Sequence, residues 1–330
     1  MKAVAIGILS SFFFAVTFVL NRLMSSDGGS WIWSASLRYL FMLPLLLLIV
    51  GSRRNLRPLL GEIRIHPWSW LWWSFVGFGL FYAPLCFAAA YSPAWLVAGT
   101  WQFTIVAGSL VAPLVYETVR TGDIVMKVRP SIPLSGMGMS LIILAGIAIM
   151  ELSRAGHVSP RGLVLGIVPI LVAAFAYPLG NRKMMALCGD RLDAWQRTLG
   201  MTIASLPLWV ILSVYQWISH GLPAPGQVLQ SFIVALFSGV IATVLFFTAT
   251  DLARHNLHHL AAVEATQSGE VVFTLFGERL LLPDTTTSAL GYVGVALVVI
   301  GMVLHSLVSA RPSRRPPRIE QTDAASERSV

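Results

Sequence analysis

Arg38, Arg197, Glu264 and Glu270 stand inside long apolar stretches of a 330-residue chain in which only 12% of residues are charged. An ionised side chain at the centre of a membrane span costs roughly 2.5–3.5 kcal/mol on insertion scales, so each of the four calls for a reason. Two are cations and two are anions. That leaves several chemistries open: acids that hold a cation or a proton, arginines that hold an anion, both together around a zwitterion such as an amino acid, or a purely structural pairing of Arg38 with Glu270.

Depth separates the four. At about 1.5 Å per residue across a core of about 30 Å, Glu270 lies about 18 Å from the cytoplasmic edge of its span and Glu264 about 9 Å. Arg38 lies about 10 Å from the outer edge, and Arg197 only about 5 Å from the inner one, where its long side chain can snorkel to water. Glu264, Gln267 and Glu270 recur every three residues and sweep about 120° of one helical side as a polar stripe. Gln102 lies about 12 Å into its own span, with Trp101 beside it and Tyr82 at similar depth. Together these residues are candidates to line a central polar cavity, its aromatic faces suited to a flat or cationic molecule, although aromatics in apolar spans also serve packing. Asn21 and Asn181 fit helix-to-helix hydrogen bonds.

The elements that position these residues are read from hydropathy. The chain is 56% hydrophobic, and runs long enough to cross a bilayer recur from Ala3 to Val308. They predict ten spans at 3–24, 31–50, 68–90, 94–116, 134–150, 161–181, 194–218, 228–251, 258–276 and 289–308. The first is too long for the apolar region of a secretory signal and is read as a retained helix. The expected fold is an all-α integral membrane protein in a lipid bilayer, with its domains at 1–150 and 151–309 and a Pro-, Arg- and Ser-rich disordered tail at 310–330.

Lys and Arg are retained on the cytoplasmic side of a membrane. With the N-terminus inside, most of the 23 Lys and Arg residues fall on that side, among them Arg53, Arg54, Arg57, Arg64, Lys127, Arg129, Arg182, Lys183, Arg191 and the tail cluster from Arg311 to Arg318. The outer face keeps Arg22, Arg154, Arg161 and Arg279. Both termini are therefore expected in the cytoplasm, and the same bias accounts for the net charge of +8 without a nucleic-acid partner. Cys86 and Cys188 form neither a disulfide framework nor a CxxC site. His255, His258 and His259 have helical spacing but no nearby thiolate, so no metal and no cofactor are expected. The chain contains no His-Glu-x-x-His, Gly-x-Ser-x-Gly or Walker loop, which speaks against an intramembrane enzyme and against ATP as the energy source. A non-transporting receptor or scaffold is the other class left.

Internal similarity relates the two halves. Asn21-Arg22-Leu23-Met24 ends the first span and Asn181-Arg182-Lys183-Met184 ends the sixth, with Arg38 and Arg197 at matching distances beyond. Gly136 and Gly146 in the fifth span are spaced like Gly291 and Gly301 in the tenth, and small residues at such intervals let helices approach closely. An odd number of spans per repeat inverts the second half, giving two inverted five-helix repeats.

This layout, the paired glycines of each closing span, and acids at the ends of the fourth spans (Glu117, Asp284) resemble the drug/metabolite transporter superfamily with EamA-like repeats. Gly7-Ile8-Leu9-Ser10 and Gly99-Thr100-Trp101-Gln102-Phe103 are most similar to its multidrug resistance efflux branch. The chain departs from that pattern at Tyr116-Glu117 and Pro283-Asp284, where Gly-Glu is usual, and has Glu270 near a position where proline is usual. The resemblance implies secondary transport of a small molecule across the plasma membrane by alternating access, often as export. Glu270 is the expected carrier of a coupling proton, with Glu264, Gln267, Gln102, Arg38, Arg197, Trp101 and Tyr82 as the accompanying substrate or ion contacts.

Overall fold

The computed structural model describes residues 2–92, 94–115, 117–121, 124–128, 134–152, 159–281 and 289–309. Asp284, Arg129, Arg154 and the basic tail lie outside the described residues.

Helices α1 (Lys2–Ser26) and α2 (Trp31–Ser52) are joined by a turn at Gly28, whose φ of 79° favours glycine. A short α3 (Leu56–Ile65) precedes α4 (Pro67–Ser74), which passes through a π-helical segment, Phe75–Gly79, into α5 (Leu80–Tyr91). Next come α6 (Ala94–Trp101) and α7 (Thr104–Val111), separated at Gln102 and Phe103, and then α8 (Leu134–Leu152). The second half runs α9 (Pro160–Cys188), α10 (Ala194–His220), and α11 (Pro225–Val234), which passes through a second π-helical segment, Ala235–Ala242, into α12 (Thr243–Ala253). It closes with α13 (Leu257–Ala265), a 3-10 turn at Thr266–Ser268, α14 (Gly269–Leu281) and α15 (Ala289–Ser309).

Seven helices among the described residues are long and apolar enough to cross a membrane: Lys2–Ser26, Trp31–Ser52, Pro67–Tyr91, Leu96–Leu114, Pro160–Cys188, Ala194–His220 and Pro225–Ala253. Two shorter apolar helices, Gly138–Ile149 and Ala289–Leu304, lie within α8 and α15. The expected ninth span at 258–276 is not one continuous helix, because Thr266-Gln267-Ser268-Gly269 combines residues whose side chains compete with the backbone ladder and a glycine.

Three further features correct the sequence reading. Glu117, expected at the end of the fourth span, begins β1 (Glu117–Thr121), which pairs antiparallel with β2 (Ile124–Val128), so among the described residues this hairpin is the one departure from helices and the turns that join them. Residues assigned to a loop between the second and third spans form α3, which buries Leu59 and joins Glu62 to Arg191 at 2.6 Å. Arg182, counted as a loop residue, is buried in α9.

Four helices, α2, α9, α10 and α13, begin where a side chain satisfies their first backbone donors. Ser30 accepts from the Ile32 amide, Ser159 from Gly162, and Asn256 from both His258 and His259, while Asp193 and Gln196 form a reciprocal capping box. The His258 and His259 turn is thus the start of α13. Unlike a soluble helix, α1 exposes Ile8, Leu9 and Phe12 while burying Ser10, Ser11, Thr17 and Asn21. That polarity suits a helix with lipid outside and hydrogen-bond partners inside.

Small residues set the tightest contacts. The two closing helices pack on each other, and a methyl placed on Gly146 would lie 2.8 Å from the Gly294 carbonyl, while one on Gly301 would lie 2.6 Å from Ile143. Gly77 in the first π-helical segment meets Gly180 of α9 backbone to backbone. Around these crossings α2 packs on α10, α1 on α12 and α14, and α9 on α5, α6 and α7.

A side chain at the Gly77–Gly180 crossing must force the helices apart. We expect Gly180→Val to destabilise the detergent-purified protein by about 1–3 kcal/mol or more, read as a lower midpoint of thermal unfolding. Gly61→Val, where nothing lies within 4 Å, should leave that midpoint close to wild type. Equal midpoints for the two variants would refute this account of the crossing.

Candidate functional site

A narrow, nearly closed cavity is lined by Phe14, Thr17 and Phe18 of α1, Arg38 of α2, Phe81 and Leu85 of α5, Trp101 of α6, Tyr177 of α9, and Gln267 and Glu270 beyond α13. It therefore collects one basic and one acidic residue from opposite halves, inside a wall of aromatic rings. As it stands the space has room for about one water molecule, so the side chains around it are packed close together.

Arg38 is 1% exposed. Its guanidinium lies 4.0 Å from the centroid of the Tyr82 ring and 5.8 Å from that of Tyr39, and donates to Thr17 Oγ1 at 3.4 Å. Tyr82 is held in turn by Asn21, whose amide donates to the phenol oxygen at 3.2 Å and to Cys86 Sγ at 3.5 Å. Arg38 Nε has no hydrogen-bond partner, and among the described residues no carboxylate forms an ion pair with Arg38. The anticipated Arg38–Glu270 contact is absent at ion-pair distance. Glu270, also 1% exposed, forms no ion pair among the described residues, and Trp101 is the side chain placed to donate to its carboxylate.

The other candidate charges lie elsewhere. Glu264 forms a bidentate pair with Arg182, at 3.0 Å to Nε and 2.8 Å to Nη2, with Gly108 pressed against its carboxylate. Arg197 is fully buried against Asp251 at 2.6 Å, against the Phe247 carbonyl at 3.3 Å and over the Phe247 ring at 4.5 Å. Among the predicted contacts, Arg38, Trp101, Gln267 and Glu270 line the cavity, with Tyr82 directly behind Arg38. Gln102 is buried at the break between α6 and α7, donating to the Ala98 carbonyl at 3.0 Å. Sequence reasoning missed Tyr177, a cavity residue whose phenol has no partner, together with Thr17. Nothing in their apolar surroundings distinguishes either from a packing residue.

The backbone around the cavity is irregular in a repeated way. The helical path breaks at Gln102, between α6 and α7, and at Gln267, between α13 and α14, and Glu270 stands in the first turn of α14 just after its break. The segments Phe75–Gly79 and Ala235–Ala242 are π-helical, which displaces carbonyls from the regular ladder. Side chains collect the freed oxygens: Tyr39 donates to the Phe78 carbonyl at 3.4 Å, Ser10 to Ala242 at 2.8 Å, and Thr243 to Ser238 at 3.0 Å. Thr17 donates to the Ser238 hydroxyl at 2.5 Å. Non-helical backbone at membrane depth is tolerated where protein or a cavity surrounds it, and interrupted helices are where transporter binding sites commonly form.

Comparison with known proteins follows this geometry. Residues 1–311 match a family model, EmrE, described as "Putative multidrug resistance efflux transporter". The chain is 54% identical over 323 residues to the uncharacterized protein YjlA of Bacillus subtilis (strain 168), covering 98% of this chain and 99% of that protein. It is 50% identical over 270 residues to an uncharacterized 42.1 kDa protein of Shouchella clausii, covering 82% of this chain and 70% of that protein. A solved structure titled only "Crystal structure of protein" superposes with a TM-score of 0.67 at 14% identity, covering 94% of this chain and 98% of that one, a likeness of fold alone.

The pairing pattern sorts structural charges from available ones. Arg182→Ala strands Glu264 in the interior and is expected to cost about 3–5 kcal/mol, whereas Arg182→Met combined with Glu264→Leu should recover most of the loss. Glu270→Gln breaks no ion pair and should change stability by less than about 1 kcal/mol. Chemical denaturation of the purified variants in detergent measures all three. A Glu270→Gln loss as large as that of Arg182→Ala would contradict the assignment of Glu270 as unpaired.

Proposed function

This chain belongs to the EmrE family of multidrug resistance efflux transporters, and from that premise we propose that it is a secondary transporter of small molecules in the cell membrane, working by alternating access. The observation that carries the proposal is the presence of two unpaired buried charges of opposite sign, Arg38 and Glu270, on one cavity between the halves. A merely structural cavity has no need of them; a bound molecule of matching charge would relieve either, and a proton would relieve Glu270.

The proposed architecture is ten membrane helices in two inverted five-helix repeats, 1–150 and 151–309, followed by the cytoplasmic tail 310–330. The packing pattern supports it. Exchanging α1 with α9, α2 with α10, α5 with α12, α6 and α7 with α13 and α14, and α8 with α15 returns the contacts α2 on α10 and α8 on α15 to themselves. The same exchange turns α1 on α12 into α9 on α5, and α1 on α14 into α9 on α7, both of which occur. The matched π-helical segments and helix breaks follow the same exchange. A site at the repeat interface is then presented to either side as one half rocks against the other.

In this reading Glu270 is the protonatable group, Gln267, Trp101 and Tyr82 accompany it, and Glu264 and Arg197 hold the cytoplasmic ends of their helices together through Arg182 and Asp251. Glu270→Gln should abolish gradient-driven transport of a mixed drug and metabolite panel in proteoliposomes, with the variant still purified as folded protein. Glu264→Gln should act through stability instead. Transport by Glu270→Gln with the pH dependence of wild type would remove the coupling role.

Orientation is tested independently, with both termini proposed in the cytoplasm. Cys86 and Cys188 are both buried, so a cysteine introduced into the 219–227 loop should react with a membrane-impermeant maleimide from outside, and one placed within 52–66 should not. The reverse labelling would overturn the proposed topology.

A further inference from the structure

The two halves treat their buried arginine differently. In the second half Arg197 covers the Phe247 ring at 4.5 Å, and one helical turn beyond that ring stands Asp251, whose carboxylate binds the guanidinium at 2.6 Å. In the first half Arg38 covers the Tyr82 ring at 4.0 Å, and one turn beyond that ring stands Cys86. A buried asparagine backs each arrangement: Asn181 donates to Thr250 at 3.5 Å, and Asn21 donates to Tyr82 at 3.2 Å and to Cys86 at 3.5 Å. The two settings share the arginine, the ring beneath it, the asparagine and the one-turn interval, but the first lacks the carboxylate.

We propose that Arg38 is an anion subsite, and that the carboxylate of a small zwitterionic substrate takes beside it the role that Asp251 takes beside Arg197. Three observations point the same way. Arg38 is buried, its Nε has no partner, and it faces the cavity rather than lipid. The planar guanidinium offers paired donors matched to a carboxylate, and the tyrosine below fixes its plane. The counter-charge for the rest of such a molecule is on the same cavity in Glu270, which faces Trp101 and Tyr177, rings suited to an ammonium group. This inference rests on the transporter reading and adds a substrate class to it.

The decisive variant supplies the missing acid. Cys86→Asp would place a carboxylate where Asp251 stands in the other half, neutralise Arg38 from within and fill the subsite. Cys86→Asn matches its size without the charge. Thermal shifts of the purified protein are measured with a pool of the common L-amino acids, with their methyl esters, and with the corresponding amines lacking the carboxyl group. We expect the amino acids, but neither the esters nor the amines, to stabilise wild type and Cys86→Asn. Cys86→Asp should weaken that response about thirtyfold or more in apparent affinity while unfolding no earlier than Cys86→Asn, so that lost binding is not lost folding. Arg38→Gln should lose the response as well. Stabilisation by esters and amines as strong as by amino acids, no response of wild type to any amino acid, or an unaltered response in Cys86→Asp would each overturn the proposal. The transporter reading is judged separately: Glu270-dependent transport of an organic cation that Cys86→Asp leaves intact would sustain that reading while removing the anion subsite, and absence of transport across the whole panel would remove the reading itself.

Discussion

Placing an ionised side chain in a medium without water is costly enough that each buried charge has to be met by another group. Arg182 is met by Glu264, and Arg197 by Asp251, at hydrogen-bond distances with little water access. Removing either member of such a pair leaves the other stranded, which is why these contacts behave as rivets. Arg38 is only partly met, by an aromatic ring and a hydroxyl, and Glu270 is met by no cation at ion-pair distance, with Trp101 alone placed to donate to it. The cavity is thus a place where a buried cation and a buried anion both lack an ion-pair partner among the described residues.

The same constraint governs the backbone. Breaks in helices at membrane depth expose amides and carbonyls, and here they are confined to the third and fourth helices of each half, around the cavity. Tyr39, Ser10 and Thr243 take up carbonyls at the π-helical segments, while Asn256 and the Asp193–Gln196 box cap helix starts near the surface. Hydrogen bonding therefore decides where the chain is allowed to be irregular, and aromatic packing, such as Tyr39 stacked on Trp209 at 4.3 Å, fills the remaining space.

Much of this was legible from residue type and position. Arg38 and Glu270 stand out as the deepest charges of each sign, and both reach the cavity. The glycines of the closing helices signal close approach, which Gly146 and Gly301 make against the partner helix. Hydropathy could not reveal that Glu264 is claimed by Arg182, because pairing depends on how α9 and α13 face one another, and a window average ends α9 at its first polar residues. Nor could it reveal the break at Gln267, since three polar residues in an apolar run read equally as a stripe on an intact helix. Cys86 drew no attention as a lone thiol. Its significance comes from comparison with Asp251, which requires knowing that each lies one turn beyond a ring that an arginine covers.

The meeting of Gly77 with Gly180 has a mechanical consequence. Most helix crossings are interlocked by side chains, so that turning one helix on the other means lifting knobs out of holes. At this crossing two glycine backbones meet with Met201 packed alongside, and neither glycine carries a knob to be lifted from a hole. It is a fulcrum near the middle of Pro67–Tyr91, with arms of about 15 Å and 20 Å at the rise of an α-helix. A tilt of about 10° displaces the ends of those arms by about 3 Å in opposite directions, the diameter of a water molecule. In the proposed rocking of the halves, leverage of this kind would close one end of the helix pair as it opens the other.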